Sequence, residues 1–120
     1  MNIGDKHSII FCVSNNETAT FLGSGGLDVY ATPAMICHME KTAFALAEAN
    51  GHQTVGTKVD ICHLRACKAG TEVKVTAELI EADGRRLEFN VSAEDEKGII
   101  GEGKHQRFII DPEKFMAKLA

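Results

Sequence analysis

The sequence contains no apolar run long enough to cross a membrane and no run of basic residues. A membrane-spanning helix needs about 18 consecutive apolar residues, and no segment approaches that length. The chain carries 13 basic and 17 acidic side chains, a net charge of −4, which argues against a nucleic-acid-binding surface. The first residues, MNIGDKHSII, lack the charged and then apolar pattern of a secretion signal. We therefore expect a cytoplasmic chain that binds neither membranes nor nucleic acid.

The four cysteines form no CxxC pair, so we expect free thiols rather than disulfides. Cys62, His63 and Cys67 come nearest to a metal-ligand cluster. Adjacent residues of a strand point to opposite faces, so Cys62 and His63 could not easily share an ion, and we expect no metal. The sequence also lacks a Gly-x-Ser-x-Gly elbow, a phosphate loop and a dinucleotide fingerprint, which argues against α/β-hydrolases, nucleotide enzymes and redox enzymes.

What the sequence does contain is the length and periodicity of one α+β domain, residues 1–120. Apolar residues recur at helical spacing after Pro33 and alternate with a period of two in the later part of the chain. Asp83-Gly84 and Lys97-Gly98 mark turns. The predicted elements are strand His7–Val13, helix Pro33–Ala49, strands Gln53–Arg65, Thr71–Glu81, Arg85–Glu94 and Ile99–Ile110, and a short C-terminal helix after Asp111-Pro112.

The predicted helix is apolar around most of its circumference, so a flat sheet could cover only one side of it. A strongly curved antiparallel sheet of about five strands covers more, and a second subunit could cover the rest. The strand residues expected to face the helix are Val73, Val75, Ala77, Leu79, Leu87, Phe89, Val91 and Ala93.

One carboxylate interrupts the apolar side of the helix. Glu40 has only apolar neighbours at helical spacing, so it must reach solvent or find a partner. At the helix start, Thr32 is predicted to cap the first turn with its hydroxyl. His38, Lys41 and Glu48 are predicted to share the polar strip of the helix, and His38 receives no functional role.

His63 is a second polar residue on a surface that should be apolar, because it continues a row predicted to face the helix. Taken alone, Glu40 and His63 each have a structural explanation, as a half-exposed carboxylate and a hydrogen-bonded imidazole. Together they predict a site where the two side chains converge near the Thr32 hydroxyl. These three groups in a partly dry pocket suit acyl transfer. The other residues of the row are Val55, Thr57, Val59 and Ile61.

Three segments of the chain resemble the hot-dog-fold thioesterases, and among them the fluoroacetyl-CoA thioesterase-like group. They are VYATPAMICHMEKTAF, VGTKVDICHLRACKAGTEVKVTAELIEADGRRLEFNVSAED and IIGEGKHQRFIIDPEKF, and the resemblance spans roughly Asp28 to Lys118. The resemblance implies a hot-dog fold and a homodimer, or a larger assembly, with the active site at the subunit interface. It also implies Thr32, Glu40 and His63 as the catalytic set.

The resemblance further implies that the backbone N–H of Gly56, which is followed by Thr57, helps to bind the thioester carbonyl. The implied substrate is a short acyl-CoA, with no cofactor apart from the CoA of the substrate. Because CoA is polyanionic, nearby cations are needed, and Arg65, Lys68 and Lys104 are the candidates.

Several alternatives stay open from the sequence. Glu40 either attacks the carbonyl to give an anhydride or acts as a base toward water or the Thr32 hydroxyl, while His63 moves protons. An enoyl-thioester hydratase or dehydratase of the same fold, or a non-catalytic acyl-CoA-binding protein, would carry similar residues. Fluoroacetyl specialists are expected to carry gating aromatics before the threonine. This chain has GSGGLDVY there, with Phe21 or Tyr30 available, so the resemblance carries over the activity without the acyl group.

Overall fold

The computed structural model describes residues 1–120 and contains five strands, one long helix and three short helical segments. The strands are β1 (Lys6–Cys12), β2 (Thr54–His63), β3 (Glu72–Asp83), β4 (Arg86–Asp95) and β5 (Gly98–Ile109). The helices are α1 (Ala19–Leu22), α2 (Thr32–Ala49) and α3 (Pro112–Ala117), and a 3₁₀ turn covers Asn15–Glu17. The predicted order is confirmed, while the 3₁₀ turn and α1 lie in a segment that was predicted to be a loop.

All five strands form one antiparallel sheet in the order β1-β3-β4-β5-β2. The predicted hairpin between β3 and β4 is confirmed, because the pair Asp83–Arg86 closes a two-residue turn in which Gly84 has a φ of 60°. At the far side of the sheet β2 pairs only with β5, so its other edge carries no strand of this chain.

The hydrophobic core lies between α2 and the face of the sheet that curves around it. The apolar rows predicted on β3 and β4 all point inward and are buried, and α2 meets them with alanines and methionines such as Met35, Met39 and Ala43. Each large apolar side chain buried in this way contributes about 1.5–3 kcal/mol to stability. α3 begins as predicted, with the Asp111 carboxylate accepting hydrogen bonds from the N–H groups of Glu113 and Lys114.

A β-bulge in β2 corrects the predicted face of that strand. The pairing with β5 shifts between Gly56 and Lys58, which leaves Thr57 without a cross-strand partner. Gly56 pairs with Arg107, and Val59 pairs with His105. Paired residues share a face of the sheet and both of these β5 side chains are buried, so Gly56 lies on the helix side together with Val59. The prediction that Val55 and Thr57 face the helix was therefore wrong.

Two predictions about α2 were also wrong. The helix begins at Thr32, its N-cap is Ala31, and no side chain caps it, so Thr32 is the first helical residue and not the cap. His38 was assigned to an exposed polar strip but is only 2% exposed. The strip is covered there by β1 and the 3₁₀ turn, which supply Phe11 and Glu17 as neighbours of the imidazole.

Neither a membrane span nor a metal cluster is found in the fold. No helix combines the length and the hydropathy that crossing a bilayer requires. No group of three or more His, Cys, Asp or Glu side chains is arranged to hold an ion. All four cysteines are free.

Candidate active site

The start of α2 and the end of β2 bring a hydroxyl and an imidazole together. Thr32 Oγ1 lies 2.8 Å from His63 Nδ1, which is hydrogen-bond distance. Thr32 is exposed as the first residue of its helix, and His63 is half-buried as the last residue of its strand. The sequence-based pairing of these two residues at one site is thus found in the structure, although Thr32 reaches it without acting as a cap.

The His63 ring is neutral around pH 7 and has an unused nitrogen. Burial lowers the pKa of His63 below its ordinary value of 6.5, and the polar backbone of Arg65 partly opposes this shift. His63 Nε2 is buried with no hydrogen-bond partner among the side chains of the chain. A neutral imidazole bonded to a hydroxyl can accept its proton, which is the arrangement that general-base catalysis requires.

Two turns further along α2, Glu40 lies beside Gly56 and Arg107. A Glu40 carboxylate oxygen is 3.7 Å from Arg107 Nη1, and the Glu40 side chain is 43% exposed. A β-carbon on Gly56 would lie only 2.7 Å from Glu40 Oε2, so the glycine leaves the space that the carboxylate occupies. The bulge that follows Gly56 interrupts the pairing of β2 and β5 at this point.

Arg107, which no sequence pattern had singled out, is buried and held by several acceptors. Its Nε donates to Thr54 Oγ1 at 2.8 Å, and Nη2 donates to the Thr54 carbonyl at 3.2 Å. Nη1 lies 3.1 Å from His105 Nε2, and His105 Nδ1 is bonded to the Lys58 carbonyl at 2.8 Å. Arg107 therefore provides a fixed positive charge next to the Glu40 carboxylate.

Within one chain, the structure does not bring Glu40 together with the Thr32–His63 pair. Thr32 and Glu40 are eight residues apart on one helix, which corresponds to about 12 Å along its axis. Glu40 has its ion pair with Arg107, and the hydrogen bond of His63 is to Thr32. The chain thus holds two separate parts of the predicted site, which we call half-sites: one is made of Thr32 and His63, and the other of Glu40 and Gly56.

The side chains of the remaining predicted substrate-binding residues, Thr57 and Arg65, have hydrogen-bond partners other than the residues of the two half-sites. Thr57 is exposed, and its hydroxyl donates to the Gln106 carbonyl at 3.2 Å. Arg65 donates to both carboxylate oxygens of Asp95 and to the Gly98 carbonyl, and this contact lowers the pKa of Asp95. The guanidinium of Arg65 is therefore already engaged in a structural ion pair.

The two aromatic residues considered for gating differ in exposure. Tyr30 is 1% exposed, whereas Phe21 in α1 is 62% exposed. A buried ring cannot open and close a pocket, so Phe21 is the aromatic that is free to cover one.

Comparison with known proteins identifies the family. Residues 13–113 match the family described as fluoroacetyl-CoA-specific thioesterase (FlK). The fluoroacetyl-CoA thioesterase of Streptantibioticus cattleyicolor is 35% identical to this chain over 128 aligned residues, covering 99% of this chain and 92% of that protein.

Solved structures agree with this match. A structure of the fluoroacetyl-CoA thioesterase FlK superposes with a TM-score of 0.92 at 34% identity, covering 99% of this chain and 95% of that one. A variant of that enzyme has been solved in complex with fluoroacetate and CoA. A hot-dog-like protein from Thermanaerovibrio acidaminovorans shares the fold at 19% identity, with a TM-score of 0.88 and coverage of 98% and 89%, which confirms the hot-dog fold. This chain belongs to the fluoroacetyl-CoA-specific thioesterase family and is a thioester hydrolase.

Proposed function

We propose that this chain hydrolyses the thioester bond of a small acyl-CoA, releasing the free acid and CoA. The observation that carries the proposal is the hydrogen bond between Thr32 and a neutral, half-buried His63, in a chain that belongs to a thioesterase family. The small acyl group is inferred from the family, whose described substrate is fluoroacetyl-CoA.

The proposed chemistry uses both half-sites. A backbone N–H near Gly56, where the bulge disturbs strand pairing, polarises the thioester carbonyl. In one route the Glu40 carboxylate attacks, CoA leaves, and water then hydrolyses the mixed anhydride. In the other route Glu40 or His63 removes a proton from water, which attacks the carbonyl carbon directly, or from the Thr32 hydroxyl, which attacks it to give an acyl-threonine ester that water then hydrolyses. In both routes one water is consumed and the sulfur of CoA leaves with a proton.

We infer that a homodimer assembles the complete site. Thr32 and His63 of one protomer would meet the partner's Glu40 and the partner's Gly56, because a single chain keeps these pairs about 12 Å apart. The free edge of β2 and the 44% exposure of Val59, on the helix side of the same strand, supply a surface for the partner. The cytoplasmic location stays a prediction, which fractionation of cells expressing the chain tests.

The experiment that tests the activity is thiol release across a panel of CoA thioesters, with acetyl-CoA, fluoroacetyl-CoA and crotonyl-CoA included. We expect thiol release from small acyl-CoAs. Loss of the crotonyl double bond without thiol release would instead indicate a hydratase, and thermal stabilisation without turnover would indicate a binding protein.

Replacement of either proposed catalytic group should abolish most of the activity. We expect Glu40→Gln and His63→Ala each to lower kcat on the best substrate by about 10² or more, because each removes a group that acts on the reacting atoms. Full activity in both variants would reject the assignment. An acyl group found on Glu40 or Thr32 by mass spectrometry after rapid quenching would distinguish the routes.

A further inference from the structure

Behind the Thr32–His63 pair, three buried or half-buried side chains form a hydrogen-bonded chain that the proposed reaction does not use. His38 Nε2 lies 2.7 Å from a carboxylate oxygen of Glu17, and the Tyr30 hydroxyl is bonded to His38 Nδ1. Phe11 stacks flat on the other side of the imidazole, with ring centroids 4.0 Å apart and planes 8° apart. β1, the 3₁₀ turn, the segment before α2 and α2 itself are joined by this cluster.

In the hydrogen-bond network of Glu17, His38 and Tyr30, every donor has an acceptor only when His38 is neutral. Burial raises the pKa of Glu17, but the Ser14 N–H and His38 outweigh it, so this pKa lies below its ordinary value and the carboxylate is ionised. An ionised carboxylate can only accept, which makes Nε2 the N–H of His38 and Nδ1 the acceptor for the Tyr30 O–H. Burial lowers the pKa of His38 and raises that of Tyr30, which keeps both groups neutral.

Tyr30 connects this hydrogen-bond network to the candidate active site. Its ring meets the His63 ring edge to face, with centroids 6.2 Å apart and an interplanar angle of 80°. Its backbone precedes Thr32 by two residues, and the intervening Ala31 N–H donates to the Glu17 carbonyl at 2.9 Å. Tyr30 therefore contacts His63 through its ring and lies two residues before Thr32, on a backbone segment whose Tyr30 N–H also donates to the Cys67 carbonyl at 2.8 Å.

We propose that Tyr30 is a positioning residue for the Thr32–His63 pair and that His38 and Glu17 hold its ring in place. The hydroxyl anchors the ring from behind, and the ring limits the orientations open to the His63 imidazole. Because its contact with His63 is through the ring, Tyr30 passes no proton to the site. The effect on turnover rests on the proposed thioesterase function, whereas the effect on the His63 ring does not.

The test compares Tyr30→Phe, which keeps the ring but loses its anchor, with Tyr30→Leu, which loses both. We expect kcat to fall about tenfold in the first and further in the second, with KM within about twofold of wild type, because misplacing a catalytic group affects the reacting state more than binding. Val91→Ala is the matched control, since it truncates a buried core residue of β4 outside the network. It should lower the melting temperature but not kcat. Glu17→Gln, which keeps an oxygen acceptor for His38, should retain more of kcat than Glu17→Ala.

Imidazole ¹⁵N NMR supplies a readout that is independent of turnover. The His63 signals should move or broaden in Tyr30→Phe and Tyr30→Leu and stay unchanged in Val91→Ala. Unchanged kcat and unchanged His63 signals in both tyrosine variants would overturn the proposal. If wild type cleaved no thioester, the proposed function would fail, and the NMR comparison would still decide whether Tyr30 positions His63.

Discussion

At the scale of single residues, Glu40 shows what a sequence pattern can and cannot reveal. Its apolar helical neighbours were enough to mark it as unusual, and its half-exposed position confirms that it is not simply buried. Its partner Arg107 lies 67 positions later on β5, and only the packing of α2 against the sheet brings the two together. An alternation count along β5 would have placed Arg107 and His105 on the inward face, which is the signal that could have identified them.

The role of Arg107 leads to a prediction at this scale. Arg107→Met should lower kcat by about 10-fold to 100-fold, because Glu40 loses the neighbouring charge, and His105 and Thr54 lose a donor. Arg85→Met, at an exposed arginine that lies over Phe108, is the control and should leave kcat unchanged. Steady-state kinetics on the best thioester checks this, and equal kcat values for the two variants would contradict the account.

At the scale of elements, the sequence predicted what depends on neighbouring residues and missed what depends on a single insertion. The alternation of β3 and β4 and the Asp83-Gly84 turn are local patterns, and the structure confirms them. The bulge at Thr57 adds one residue to β2 and reverses the face of everything before it, which no period-two count can detect. His38 was misplaced for a related reason, because the turn that covers it comes from a distant part of the chain.

Substitutions at two glycines of the sheet should have different effects, one on activity and the other on stability. In Gly56→Ala the new β-carbon meets the mobile end of Glu40 at 2.7 Å, so the carboxylate shifts while the strand is retained. In Gly103→Ala it meets the Asp60 backbone oxygen at 2.1 Å, which forces β2 and β5 apart. We expect Gly56→Ala to fold with a melting temperature near wild type but with kcat lowered about tenfold or more.

Gly103→Ala should instead lower the melting temperature strongly or prevent folding. Circular dichroism melts beside thiol-release assays distinguish the two effects. A fully active Gly56→Ala, or a Gly103→Ala that is as stable as wild type, would contradict this description of the sheet.

At the scale of the whole molecule, burial of three histidines makes stability depend on pH. Burial lowers the pKa values of His38, His63 and His105 below 6.5. The unfolded chain therefore binds protons below about pH 6.5 that the folded chain does not bind, so stability is full above this pH and falls as the pH drops. Urea unfolding between about pH 7.5 and about pH 5.5 should show a decreasing midpoint. A midpoint that is constant or rises toward acid would contradict the burial of these rings.

Whether the candidate site is complete also depends on the whole molecule. The sequence predicted the residues of the site better than it predicted their arrangement. Thr32, Glu40 and His63 were selected from polarity on apolar faces and from a family resemblance. Their convergence was predicted without regard to the helix rise, which holds Thr32 and Glu40 about 12 Å apart. The structure pairs Thr32 with His63 and leaves Glu40 with Gly56 and Arg107. The two-fold partner that we propose would unite them.

The most direct test of this arrangement is activity in mixed dimers of two inactive variants. Co-expression of His63→Ala with Glu40→Gln gives heterodimers in which one site carries both defects and the other carries none. We expect the mixture to recover about a quarter of wild-type thiol release, since half of the dimers are mixed and each has one intact site. His63→Ala mixed with Thr32→Ala, whose defects lie in the same half-site, should recover nothing. Isolated heterodimers of His63→Ala and Glu40→Gln that stay inactive would contradict a site shared between two protomers.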